Sequence, residues 1–341
     1  MRKLLGLALV FIILFAATAI GLYVREELRT AYPYTATNVV FEIPKGLRYR
    51  DVVGLLEDKK VVHNRYIALA YILYSGYRNK LQAGEYQFDQ PMTAAEVIGK
   101  IVNGSVYLHK FTVPEGLGLE ETAAKWEQQG FGSADSFRNA ANSSVGLIKE
   151  FDPTATTLEG YLYPETYSFP AHTTARQAIE AMVRRFRIVV ERLNKEVPKE
   201  EWALSVRDTV ILASLVESEA AVADERPIVA SVYLNRYKRK MLLQCDPTVI
   251  YALEKADLYN GNLTLKDLKF NSPYNTYVNP GFPPGPIMNP GYPSLRAAIQ
   301  PASNGFLYFV RTTDGRHTFS ENLAAHNRAV AAYRALQRRG K

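Results

Sequence analysis

Two carboxylates close the segment from Ser205 to Ala220, which reads Ser-Val-Arg-Asp-Thr-Val-Ile-Leu-Ala-Ser-Leu-Val-Glu-Ser-Glu-Ala. At about 100° per residue, Glu217 shares a direction with Val206, Val210, Ala213 and Ala220. Glu219 points with Asp208 and Leu212 and is expected to be exposed or paired. An acid on an apolar helix face loses hydration, which favours the neutral carboxyl that a general acid needs to protonate a leaving oxygen. Spacing alone leaves open whether Glu217 does this or ends as one half of an ion pair.

The other groups with chemical potential are easier to bound. Asp246 precedes Pro247, the pattern of an N-cap followed by Pro at the first helical position, so capping rather than nucleophilic attack is its expected role. Glu159 stands open between a second functional acid and a structural partner. Tyr161 and Tyr163 offer either stacking faces or core packing. The histidines at 63, 109, 172, 317 and 326 have no metal-ligand spacing, and no cofactor is expected. A single cysteine, Cys245, excludes an internal disulfide framework. The net charge of +7 is carried by scattered basic residues with no nucleic-acid motif, so no nucleic-acid partner is expected.

The elements that must position these groups follow from periodicity and punctuation. Asn38 to Pro44 reads as a strand, Arg50 to Leu56 and Arg65 to Tyr74 as helices, Ala83 to Phe88 as a strand, and Thr93 to Val102 as a helix. Phe41-Glu42-Ile43-Pro44-Lys45-Gly46-Leu47 is echoed by Phe111-Thr112-Val113-Pro114-Glu115-Gly116-Leu117, each before a helical pattern. The echo fits reuse of one strand-turn-helix design, with a shared sugar-binding surface as the sharper alternative. Thr174 opens a long amphipathic helix; others are expected from Asp224 to Arg236 and from Asp246 through Leu253. Asn271 to Pro293 is rich in Pro, Gly, Asn and Tyr and is expected to form a long ordered loop. Phe306 to Arg311 and His317 to Phe319 make a hairpin about Asp314-Gly315, before a last helix from Asn322 to Arg338.

Leu4 to Val24 is an apolar run without a charge, long enough as a helix to span about 30 Å of hydrocarbon. Ala16-Ala17-Thr18-Ala19 resembles a signal-peptide cleavage site, but the run exceeds the usual signal core, which favours a retained anchor. Arg2 and Lys3 put the N-terminus inside and everything after about residue 25 outside.

Leu158-Glu159-Gly160-Tyr161-Leu162-Tyr163-Pro164-Glu165-Thr166-Tyr167, Leu212-Ala213-Ser214-Leu215-Val216-Glu217-Ser218-Glu219-Ala220, Leu243-Gln244-Cys245-Asp246-Pro247-Thr248-Val249-Ile250-Tyr251, Tyr274-Asn275-Thr276-Tyr277 and His317-Thr318-Phe319 stand in this order. Together they resemble the motifs of the YceG-like (MltG) endolytic murein transglycosylases, over nearly the whole chain. The resemblance implies an α+β protein: a cytoplasmic tail at 1–3, a transmembrane helix at 4–24, a stalk at 25–36, a small LysM-like subdomain at 37–110 and a larger, mostly helical catalytic domain at 111–341. It also implies a bacterial inner-membrane protein whose catalytic part is periplasmic, whose partners are peptidoglycan glycan strands, the bilayer and cell-wall synthases, and whose Glu217 is the catalytic acid. The implied reaction breaks the β-1,4 bond after N-acetylmuramic acid and closes a 1,6-anhydro ring, terminating or trimming nascent strands. Gln244, Asn275, Thr276 and Tyr277, with Tyr161, Tyr163 and Glu159, are then candidate substrate contacts. The alternatives are a two-carboxylate hydrolase, with Asp246, Glu159 or Glu219 beside Glu217, and a non-enzymatic wall-binding scaffold.

Overall fold

The computed structural model describes residues 2–31, 39–220, 222–312 and 315–339. The chain is a mixed α+β protein that divides into two compact units, one of residues 1–110 and 168–172 and the other of residues 111–167 and 173–341.

The first unit begins with helix α1 (Arg2–Arg29). Leu7, Phe11 and Phe15 expose more than half their surface, and α1 is, among the described residues, the one helix long and apolar enough to cross a membrane. It continues through Arg25 to Arg29, where a stalk was expected to begin, because Arg, Glu and Leu favour the helix. The remainder of the expected stalk beyond residue 31 lies outside the described residues, as does Asp314 of the expected hairpin turn. Strand β1 (Val39–Ile43), helices α2 (Tyr49–Asp58) and α3 (Arg65–Tyr74), strand β2 (Gly84–Phe88) and helix α4 (Ala94–Val102) follow. β1 and β2 pair antiparallel with Phe41 opposite Tyr86, and their inward side chains join Val53, Leu56, Ile72, Val97 and Ile101 in one core. Local chemistry agrees with this layout: Asn64 accepts from the N–H groups of Tyr66 and Ile67 to start α3, and Thr93 and Glu96 close a capping box on α4.

Strand β3 (His109–Thr112) leads into the second unit, and the chain continues with α5 (Leu119–Gln128), α6 (Ala134–Ser143), β4 (Thr166–Phe169, whose last two residues count with the first unit), α7 (Ala175–Glu196), α8 (Val206–Glu219), α9 (Arg226–Lys238), α10 (Asp246–Glu254), α11 (Tyr292–Ile299), β5 (Tyr308–Arg311), β6 (His317–Ser320) and α12 (Leu323–Arg339). β3 pairs with β4 and β5 with β6. Thr174 caps α7 through a box with Gln177, and Ile179, Met182, Phe186, Val190 and Leu193 line its buried face. The sequence echo is a structural one. Phe41 and Ile43, like Phe111 and Val113, are buried, and Gly46 and Gly116 turn the chain at φ of 86° and 81°, values at which a glycine is at ease.

At the centre lies α8, packed on α9, α10 and α11. Every residue from Thr209 to Val216 is buried, so the helix has no single apolar face: the unit wraps it on all sides. Ser205 caps it by accepting from the Asp208 N–H.

Candidate active site

Glu217 and Glu219 end α8, at the edge of the enclosed stretch, and the fold gives them different company. The Glu217 side chain is only 7% exposed, and its Oε1 lies 3.5 Å from the Arg226 Nη2. The backbone N–H of Gly291 donates to Oε2 at 3.0 Å. The apolar setting expected from helical periodicity is thus replaced by a guanidinium and an amide, because the loop and α9 bring polar groups over the end of α8. Arg226 is itself fixed, its Nε donating to Ser294 Oγ at 3.1 Å. The preceding Glu225 is held by the His317 ring at 2.8 Å and the His317 N–H at 3.1 Å, so β6 sets the start of α9 from which Arg226 reaches Glu217.

Glu219 turns the other way. It accepts from the Tyr233 hydroxyl at 3.1 Å and faces Cys245 Sγ at 3.6 Å. It is paired, one of the two fates expected of it, and burial pushes its carboxyl up against the pull of the Tyr233 hydrogen bond. Asp246 is not the N-cap of α10. That position is Cys245, and the Asp246 carboxylate instead accepts from the Tyr277 hydroxyl.

The loop between α10 and α11 is held by its own side chains. Asn275 is fully buried and donates to the carbonyls of Leu268 and Phe270, while its Oδ1 accepts from Tyr277 N–H. Thr276, also buried, accepts from the Cys245 N–H at 3.0 Å and meets Thr248 at 2.9 Å. Gln244 is exposed at a positive φ of 52°, with its Oε1 taken by Arg236. Asn275 and Thr276 therefore shape the loop from within, whereas Gln244 and the flank of Tyr277 reach its surface. Further along, Arg207 donates to the Pro284 carbonyl at 2.6 Å, and the Ser214 hydroxyl of α8 accepts from the Ile287 N–H at 3.2 Å.

Asn289 ties this loop to the second copy of the echoed motif. Its N–H and its side-chain amide both donate to the Leu117 carbonyl, at 2.9 and 2.7 Å, and its carbonyl accepts from Gly116 N–H at 3.0 Å. Its Oδ1 accepts from Leu162 N–H at 3.0 Å. The segment from Glu115 to Leu119 consequently runs past two acids. A Cβ on Gly116 would sit 3.8 Å from Glu217 Cγ, and the Leu119 N–H donates to Glu159 Oε1 at 2.9 Å. Glu159, 4% exposed, also accepts from the Tyr251 hydroxyl at 3.3 Å, and burial pushes its carboxyl up to about 7. Tyr161 is a core residue, with its hydroxyl on Asp152 and its ring edge-on to Phe186. Tyr163 is 8% exposed, with the Arg185 guanidinium over its ring.

Residues that sequence reasoning left out complete the site: Arg226, Gly291 and Glu115, whose carboxylate rests against the Gly291 Cα so closely that a Cβ there would overlap it. The one sequence signal for Glu115 was the echo, in which the first copy carries Lys45 at the same place. A cleft of about 410 Å³, lined by Ala223, Pro227, Tyr292, Arg296 and Gln300, adjoins the residues that follow Arg226 and Gly291 in the chain.

The description of the YceG-like family matches residues 41–332, which include every part of this site. The chain belongs to the YceG-like family. A relative in Bacillus subtilis named endolytic murein transglycosylase is 33% identical over 92% of this chain and 89% of its own length. One of the same name in Streptococcus pneumoniae is 28% identical over 91% of this chain, which spans 61% of that longer protein. A crystal structure of a YceG-like protein from Listeria monocytogenes, 33% identical, matches with a TM-score of 0.58 over 86% of this chain and 99% of that one. The motifs that define the site, from Glu159 to His317, thus sit on a YceG-like fold.

Proposed function

We propose that this protein is an endolytic murein transglycosylase that cuts peptidoglycan glycan strands without water, with Glu217 as the acid and then the base. Membership of the YceG-like family and the names of its relatives support the enzyme class and the wall substrate. The observation that carries the assignment of Glu217 is its two-point fixation: Arg226 and the Gly291 amide aim one carboxylate at the edge of an otherwise enclosed helix.

In the proposed reaction Glu217 gives its proton to the bridging oxygen, and the bond from the muramyl C1 breaks with its electron pair on that oxygen. The sugar's 6-hydroxyl oxygen bonds to C1, and its proton returns to Glu217. Acid and base are one residue, so no enzyme carboxylate has to activate water or form a covalent sugar intermediate. The acids that a two-carboxylate hydrolase would recruit are engaged elsewhere: Asp246 with Tyr277, Glu219 with Tyr233, Glu159 with Leu119 and Tyr251.

Gln244 and Tyr277 are the proposed substrate contacts at the surface, while Asn275, Thr276, Tyr161, Tyr163 and Glu159, all buried, act by holding the loop and the 115–119 segment in shape. Residues 37–110, within the first unit, are proposed as a LysM-like glycan contact. Helix α1 is compatible with a single-pass anchor, and the basic Arg2 and Lys3 support a start inside, an orientation that protease added outside intact spheroplasts would test by digesting the catalytic part. Work beside membrane-bound synthases, terminating nascent strands, fits such an anchor. The deciding experiment is digestion of purified glycan strands by wild type and Glu217→Gln. Lost cleavage with retained strand binding is expected; a Glu217→Gln protein that still cuts would contradict the assignment.

A further inference from the structure

Helix α3 reads Arg-Tyr-Ile-Ala-Leu-Ala-Tyr-Ile-Leu-Tyr, apolar on nearly every side, a pattern that marks a helix enclosed by a core or by lipid. The fold encloses only part of it. Ile67, Ala68 and Ile72 are buried in the first unit, whereas Tyr66, Ala70, Leu73 and Tyr74 are exposed, Tyr66 at 72% and Tyr74 at 93%. At about 100° per residue these side chains fall within an arc of about 100°, so they make one continuous face with a tyrosine near each end. Its surroundings are basic. Between Asp58 and Glu85 the sequence has no acidic residue, and Lys59, Lys60, Arg65, Arg78 and Lys80 are all exposed. Arg65 reaches back to Glu57 at 3.6 Å, a surface pair of the weak kind. The same unit joins the apolar helix without a spacer. Leu28 lies four residues past the end of the apolar run at Val24, about 6 Å further along the helix, and already packs against the core of the first unit. Glu27 is buried, and α1 touches both α3 and α4. With Leu4 to Val24 in a bilayer, the first unit rests against the headgroups.

We propose that the α3 face formed by Tyr66, Ala70, Leu73 and Tyr74 is a second lipid contact, seated at the headgroup level of an anionic bilayer with the flanking Lys and Arg side chains on lipid phosphates. The proposal goes beyond the enzymatic reading and rests only on α1 being the anchor. Tyrosine suits this depth, because its ring enters the acyl boundary while its hydroxyl stays among the headgroups. A basic rim adds attraction to anionic lipid. Sugar is the other occupant that exposed tyrosines could take, but a saccharide is oriented by directional polar groups, and from Arg65 to Arg78 there is no Asn, Gln, Asp or Glu. The consequence is orientational. A lone spanning helix can turn about its own axis, and an interfacial contact beside it stops that rotation, so one fixed side of the first unit faces the membrane.

The test uses the full chain in vesicles of phosphatidylethanolamine and phosphatidylglycerol, with an environment-sensitive fluorophore on a cysteine introduced as Tyr66→Cys or Tyr74→Cys. Each variant removes a single side chain of the face. The native Cys245 is buried, and the unsubstituted chain reads any labelling there. Quenching by iodide in the water is compared with quenching by a nitroxide carried on the lipid near its headgroup. At both positions a blue-shifted emission is expected, mostly lost to the lipid nitroxide and largely spared by iodide. Iodide quenching as complete as that of the free fluorophore, with no loss to the nitroxide, would overturn the proposal. So would shielding that appears only when glycan strands are added. The same label at Phe15→Cys, read with a nitroxide deep in the acyl chains, separates the contact from the anchor. If that label is untouched by the nitroxide, the anchor reading fails; if it is quenched while positions 66 and 74 are not, only the second contact fails.

Discussion

A carboxyl taken out of water resists ionising, and Glu159 shows what that costs the fold. Burial raises it from 4.5 to about 7, against the lowering pull of the Leu119 N–H and the Tyr251 hydroxyl. Below the lower value, folded and unfolded chains both carry the proton. As the pH rises, the unfolded chain ionises first, so stability falls between about 4.5 and about 7 and then levels off, a total on the order of 3 kcal/mol. Glu159→Gln keeps an acceptor for the Leu119 N–H and removes the titration. Denaturant unfolding at about pH 4 and about pH 8 should then show a smaller difference than wild type by roughly that amount; an unchanged difference would mean Glu159 is not the source. Glu217 and Glu159 look alike in sequence, as acids among apolar neighbours. They part in the structure because one meets a guanidinium at the mouth of the site and the other closes the N-terminus of α5.

The elements matter through how closely they approach. Gly160 takes φ of +84°, and a Cβ there would overlap the Pro286 ring and crowd Val210 on α8. The loop that presents Asn289 and Gly291 therefore rests on a position only glycine fills comfortably. Gly160→Ala is expected to cost about 1–3 kcal/mol and to slow strand cleavage, as the loop shifts away from Glu217; thermal unfolding and an activity assay check both. Much of this layer was legible. Thr93 and Thr174 read as helix starts, and the structure completes each with a capping box to Glu96 and Gln177; the repeated Phe, Pro and Gly of the 41 and 111 motifs announced two alike turns. What was hidden depends on long-range approach. Helical periodicity gave α8 one apolar face, but packing by α9, α10 and α11 buries it all round, so its face could not single out Glu217. Arg226, Gly291 and Glu115 come from three distant segments with no spacing in common, and Asp246 looked like a cap because local sequence cannot show that Tyr277 would claim it.

For the whole molecule, an exposed apolar helix leads a chain whose second unit fixes the Glu217 carboxylate with one guanidinium and one backbone amide at the edge of a buried helix. In the proposed reaction no water is needed, since the sugar's own hydroxyl would take the place of a second reactant. Strand digestion in water enriched in heavy oxygen, followed by mass spectrometry of the new ends, tests this most directly. The account predicts anhydro ends one water lighter than reducing ends and free of the label. Reducing ends that carry the heavy oxygen would contradict it and make the protein a hydrolase.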